Sequence, residues 1–216
     1  MSRTHHSTPA IPWSLLLMLM LMLLAGCASM VPPARDGLQA QPYHERIEIA
    51  GRLSLRYQQG GSEQSMHGSF VWEQQPQQTR LTLLSPLGQT MAVIAITPTR
   101  STLTQGGQPP LAAPDVDSLV RQSLGWPLPI SGLRDWLQAR ATDAHGQAFT
   151  AVPNHAEYTI TSDGWALKYA DWQGAPDSGA HARRIDLARN TDQAGDVVLR
   201  IVIDDWHPLD SKPSQP

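Results

Sequence analysis

Two hydrophobicity periods divide this chain, and their order restricts what it can fold into. Over residues 47–105, and again over 158–203, apolar and polar side chains alternate in runs bounded by Gly, Pro, Asn, Asp and Ser. That is the signature of half-buried strands, whose side chains point alternately to the two faces of a sheet. Leu53, Leu55 and Tyr57 alternate with Arg52, Ser54 and Arg56. Beyond Gly60-Gly61, Gly68, Phe70 and Trp72 alternate with His67, Ser69 and Val71, which predicts a hairpin. Strands are expected over 80–84, 90–97 and 101–105, with loops at 74–78 and 106–114. A second hairpin is expected around Ser162-Asp163-Gly164, after a loop at 142–155, then strands at 183–187 and 197–203.

Between the two sets the period changes. Val116, Leu119, Val120 and Leu124 recur at helical spacing, with Asp115 placed to cap the start and Gly125 the stop. Ser131 is placed to cap a second short helix carrying Leu133, Trp136 and Leu137. A further short helix is expected at 43–46. Many antiparallel strands interrupted by two central helices, with no parallel crossover unit, give an α+β class with a large antiparallel sheet. Residues 90–97 are apolar on both faces: Met91, Val93 and Ala95 on one, Ala92, Ile94 and Ile96 on the other. Such a strand is covered on both sides or lines an apolar hollow.

Upstream, Leu15–Leu24 is an unbroken apolar run preceded by Arg3 and followed by Ala25, Gly26 and Cys27, the only cysteine. A charged start, a short apolar core and small residues at the end form a secretory signal, too short for a spanning helix. Leu24-Ala25-Gly26-Cys27 resembles a bacterial lipobox. That implies removal of residues 1–26 and acylation of Cys27, and Ala28 rather than aspartate at the next position implies an outer-membrane address. Removing residues 1–26 from 216 leaves 190, about one domain. The lost segment holds Arg3 and no acid, so the formal charge moves from −3 to −4. This balance gives no footprint for nucleic acid or anionic lipid. Residues 27–42, with prolines at 32, 33 and 42, read as a lipidated tether, 43–206 as the folded domain and 207–216 as a disordered polar tail.

No phosphate loop, nucleophile elbow or metalloprotease helix is present. The histidines lack ligand spacing, so no metal or other cofactor is expected. Asp204-Asp205, as successive strand residues, face opposite ways and suit a solvated strand end better than a catalytic dyad. The reading is a binding module rather than an enzyme.

Several stretches together resemble the LolB family. They are the lipobox, Gly51-Arg52-Leu53-Ser54, Gly68-Ser69-Phe70-Val71-Trp72, Leu83-Leu84-Ser85-Pro86-Leu87-Gly88, Gly125-Trp126-Pro127-Leu128-Pro129, Leu133-Arg134-Asp135-Trp136-Leu137, Gly164-Trp165 and Ile201-Val202-Ile203-Asp204-Asp205-Trp206. The resemblance implies a strongly curved antiparallel sheet, an incomplete barrel, with helices covering the open side. It implies a lipid-anchored receptor on the periplasmic face of the outer membrane. That receptor takes lipoprotein acyl chains from the periplasmic carrier LolA into an apolar hollow and releases them to outer-membrane lipid without covalent chemistry. A monomer is expected. Alternation and the helical stripe nominate Leu55, Phe70, Trp72, Leu83, Val93, Ile94, Leu119, Trp136 and Ile201 as lining. Ser85-Pro86-Leu87-Gly88 has type I turn chemistry, which places Leu87 at a tip, and the resemblance implies that this tip enters the membrane. A structural lipoprotein with a closed core, or a hydrolase whose site the sequence does not display, are the alternatives.

Overall fold

A computed structural model describes residues 39–126, 128–153, 158–175 and 178–209. Cys27, the signal segment, most of the tether and the tail beyond residue 209 lie outside the described residues.

One antiparallel sheet of ten strands organises the domain. Its strands are β1 (Ile47–Gln59), β2 (Ser62–Gln74), β3 (Thr79–Leu84), β4 (Thr90–Ile96), β5 (Ser101–Gln105), β6 (Leu111–Ala113), β9 (Tyr158–Ile160), β10 (Ala166–Ala175), β11 (Gly179–Thr191) and β12 (Gly195–Pro208). Their order is β6-β5-β4-β3-β2-β1-β12-β11-β10-β9, so the first and last long strands meet at the centre and β6 and β9 are the end strands, with Ala144 N donating to the Ile160 carbonyl of β9 at 2.8 Å. The remaining strands, β7 (Arg140–Thr142) and β8 (Ala148–Thr150), make a separate small hairpin. Among the described residues the helices are α1 (Val116–Leu124) and α2 (Leu133–Trp136).

Sequence and structure part at several places, each with a local cause. Residues 43–46 are not helical: two buried glutamines hold Tyr43 and His44, and the chain bends at 45–46. Gln74 donates to Tyr43 Oη and the His44 carbonyl, while Gln138 accepts from His44 N and donates back to its carbonyl. The expected loops at 106–114 and 142–155 contain the short strands β6 and β8, and β7 ends where the second begins. Ser131 does not cap α2. Its hydroxyl donates to Asp117 Oδ2 at 2.6 Å and its N–H to Oδ1 at 3.2 Å, tying the second helix to the first. The tether is held by residue 39: Ala180 N donates to the Gln39 carbonyl and Gln41 N to the Ala180 carbonyl, at 2.7 and 2.8 Å. The polar tail begins later than residue 207, because β12 pairs through Pro208 opposite Ile47.

Asp115 caps α1 as its sequence position suggests, accepting from Ser118 N at 2.7 Å, and Gly125 closes the helix at φ +83°. Asp115→Ala removes one of the few bonds available to the free N–H groups of that turn. A melting temperature lower by about 2–4 °C is the expected result in a thermal scan.

Two bulges shape the sheet. One leaves Asp204 without a partner, since Ala50 faces Asp205 and Gly51 faces Ile203. Only glycine fits there: a Cβ on residue 51 would stand 2.1 Å from the Val202 carbonyl oxygen. The other leaves Met91 unpaired, since Leu83 faces Ala92 and Leu84 faces Thr90. Bulges of this kind bend strands and re-aim side chains.

Toward the far end of β12, His181 stacks on Trp206 with ring centroids 4.6 Å apart and planes 8° apart. Burial, with Arg183 nearby, holds the imidazole down at about 4 against its ordinary 6.5. The folded state favours the neutral ring, so this contribution is complete above pH 6.5 and is lost as pH falls toward 4. His181→Phe keeps the stack without the titration. Thermal scans between pH 7 and 4 should therefore show a smaller drop in this variant than in the unmodified chain.

Candidate functional site

The inner face of β1–β5 and β12 does not meet the helices in a solid core. It encloses an apolar cavity of about 200 Å³. Strand alternation supplies one wall: Leu55, Phe70, Trp72, Leu81, Leu83, Ile94, Leu103, Leu199 and Ile201. The other wall comes from Leu119, Val120 and Leu124 of α1, Leu128 and Ile130 after it, and Leu133 and Leu137 around α2. Only Gln105 and Ser123 among the lining residues are polar, and none is titratable. A cavity of roughly 150 Å³ lined by aliphatic and aromatic groups stays dry and takes up a small apolar molecule. This one is larger and lined in the same way, almost wholly by apolar side chains. Among the described residues no group of His, Cys, Asp and Glu is placed to hold a metal ion.

Seven of the nine residues nominated from the sequence line this cavity: Leu55, Phe70, Trp72, Leu83, Ile94, Leu119 and Ile201. Val93 does not. Leu81 faces Ile94 and Leu83 faces Ala92, which fixes Ala92 and Ile94 on the cavity side and puts Val93 on the outer side opposite Thr82. The strand is therefore not covered equally on both faces: Ala92 and Ile94 are buried, whereas Val93 and Ala95 are half-buried. Trp136 is buried but belongs to solid core. Its ring lies over Gly132, where a Cβ would stand 2.4 Å from it.

Sequence reasoning missed the rim. Met91 and Leu124 line the cavity and are also exposed, by 42% and 37%. Met91 escapes the alternation rule because it is the bulge residue. Leu124 is the last member of the helical stripe, and its place beside Gly125 was the available signal. The turn that leads into β4 is Ser85–Gly88, closed by Gly88 N donating to the Ser85 carbonyl at 2.9 Å and Ser85 N to the Gln89 carbonyl at 2.8 Å. It holds Leu87 out of the fold, 88% exposed, a few residues from Met91. The acidic pair is also resolved. Asp204 accepts from Arg52 Nε and Nη2 at 2.8 Å, and Asp205 is exposed on its own.

A family model described as Outer membrane lipoprotein LolB matches residues 45–206. The outer-membrane lipoprotein LolB of Cupriavidus taiwanensis is 41% identical over 191 residues, covering 87% of this chain and 93% of that protein. That of Cupriavidus necator is 41% identical over 184 residues, covering 85% and 90%. A solved LolA superfamily protein from Nitrosomonas europaea aligns at 6% identity and a TM-score of 0.45, over 80% of this chain and 90% of that one, and adds nothing to the assignment. A family match spanning nearly all the described residues, together with relatives at this identity over 90% or more of their length, places the chain in the LolB family of outer-membrane lipoproteins.

Proposed function

We propose that this chain is an outer-membrane receptor that takes lipoprotein acyl chains into its cavity and passes them to the membrane. The observation that carries the reading is the cavity itself: an almost wholly apolar hollow with an exposed apolar rim. The ten-stranded sheet is the curved wall of an incomplete barrel, and α1 and α2 cover its open side. Cys27 carries the lipid anchor on the periplasmic face. Cargo arrives from the periplasmic carrier LolA, and the receptor works as a monomer without nucleotide or metal.

The energetics suit a passive relay. Burying a methylene contributes about 0.8 kcal/mol whether the surroundings are protein or bilayer. Carrier, receptor and membrane then differ by small steps, and cargo moves down them without bond cleavage. On the scale of a benzene-sized hollow near 150 Å³, the present cavity accepts a stretch of roughly eight carbons. Longer chains require α1 to move off the sheet, and the rim formed by Met91 and Leu124 is where such a chain enters.

The experiment is titration with a fluorescent fatty acid, followed by mixing with cargo-loaded carrier. Saturable binding and transfer of cargo to the receptor are expected. A protein that binds neither is a structural lipoprotein with a closed core.

A further inference from the structure

The overall charge conceals a local excess of cations on the outer face of the sheet. Register sets Arg52, Ser54 and Arg56 of β1 opposite Ser69, His67 and Ser65 of β2, and opposite Val202, Arg200 and Val198 of β12. Side chains directly opposite one another share a face. The alternate residues Leu55, Phe70 and Leu199 are buried, so this set faces outward. On that face lies a groove of about 370 Å³, lined by Arg52, Ser54, His67, Ser69 and Arg200 and by Pro86 of the Leu87 turn, with no carboxylate in its wall.

The two arginines are fixed in place rather than used up. Arg52 gives Nε and Nη2 to Asp204, and Arg200 gives Nε to Asp186 Oδ1 at 2.6 Å. Those bonds leave Nη1 of Arg52 and both Nη groups of Arg200 as donors. Arg183 and Arg184 share the same carboxylates, so four arginines stand against Asp171, Asp186 and Asp204. A planar guanidinium held by a carboxylate is pre-set to donate to a phosphate, and the Ser54 and Ser69 hydroxyls add neutral donors.

We propose that this groove holds the phosphate of a membrane lipid head group while the Leu87 turn enters the bilayer. The inference rests on the reading of that turn as the segment that meets the membrane. Pro86 places the groove against the turn, so inserting Leu87 brings the groove to the head-group layer. A phosphate seated there fixes the orientation of the domain as cargo leaves the cavity.

The test uses the full acylated chain loaded with a fluorescent lipoprotein cargo, and two kinds of acceptor vesicle without net charge. One is phosphatidylcholine. The other is digalactosyldiacylglycerol, which lacks phosphate. The unmodified protein should deliver faster to phosphatidylcholine, by roughly fivefold or more for each arginine engaged. Arg52→Gln/Arg200→Gln should bring the two rates together by slowing delivery to phosphatidylcholine alone. His67→Glu leaves both ion pairs in place and puts a carboxylate in the groove. It should do the same, which covers a folding failure of the double variant. Equal rates for the unmodified protein, or a preference kept by both variants, overturn the proposal. So does binding of inorganic phosphate in the groove with no lipid preference, since the site then serves a free anion. Leu87→Glu separates the two readings. If it delivers at the unmodified rate, the membrane role of the turn fails. If it blocks delivery to both vesicles while the groove variants keep the preference, only the groove assignment fails.

Discussion

Leu87→Glu should reduce delivery of bound cargo to liposomes by about ten- to a hundredfold while leaving acceptance from the carrier unchanged. The side chain is 88% exposed at the tip of a turn whose hydrogen bonds are all made by backbone and by Ser85, so the substitution removes no packing. Surface changes of this kind usually alter stability by less than about 0.5 kcal/mol. What changes is the transfer of the tip into lipid. A leucine favours the bilayer slightly, whereas a carboxylate opposes entry by about 2–3 kcal/mol at the bilayer centre and less at the interface, which sets the size of the effect. Leu87→Ile, still apolar, should deliver at nearly the normal rate. Stopped-flow transfer to liposomes, with a thermal scan to check the fold, decides the matter. An unmodified delivery rate in Leu87→Glu makes Leu87 an ordinary turn residue.

Ala92→Phe should abolish fatty-acid binding, with an affinity loss of at least about tenfold, and leave the fold as stable as before or slightly more so. Ala92 is 5% exposed, points into the cavity from the centre of β4 and has empty space ahead of it. In a close-packed core such a change forces side chains off their rotamers and costs about 1–3 kcal/mol. In a hollow the added ring fills space that ligand would occupy, and cavity filling commonly adds about 0.5–2 kcal/mol of stability. The two outcomes have opposite signs, so one thermal scan beside one binding titration separates a hollow from a core. A destabilised protein that still binds fatty acid in its folded fraction would show that the space is not the acyl site.

If the groove beside Pro86 acts as proposed, delivery and acceptance should be separable by mutation. On the proposed reading, acceptance would use only the cavity wall and the rim, and delivery would also use the outer face near the turn, where Arg52 and Arg200 line the groove.

The long strands, the helix α1 and the turn that carries Leu87 were legible in the sequence through local chemistry, whereas the short strands β6, β7 and β8 were not. Alternation around Gly60-Gly61 makes the β1–β2 hairpin whatever the rest of the chain does, and the Asp115 cap and Gly125 stop delimit α1 without tertiary help. The same local rules identified Leu55, Phe70, Trp72 and Ile201 as inward-facing, because half-buried strands carry their burial pattern in every second residue. Val93 was undecidable from that pattern, since both faces of β4 are apolar and only pairing with β3 shows which one turns inward. Trp136 followed the right helical stripe into the wrong place, because a stripe shows that a side chain is buried and not whether empty space lies beside it. Met91 and Asp204 depended on bulges, which arise when two strands of unequal local length are brought together and so have no signature in either strand alone. The cavity and the cationic groove are likewise products of tertiary structure. Volume left unfilled between a sheet and two helices, and charge gathered from β1, β2 and β12, are relations between separate segments, with Arg52 and Asp204 152 residues apart in the chain.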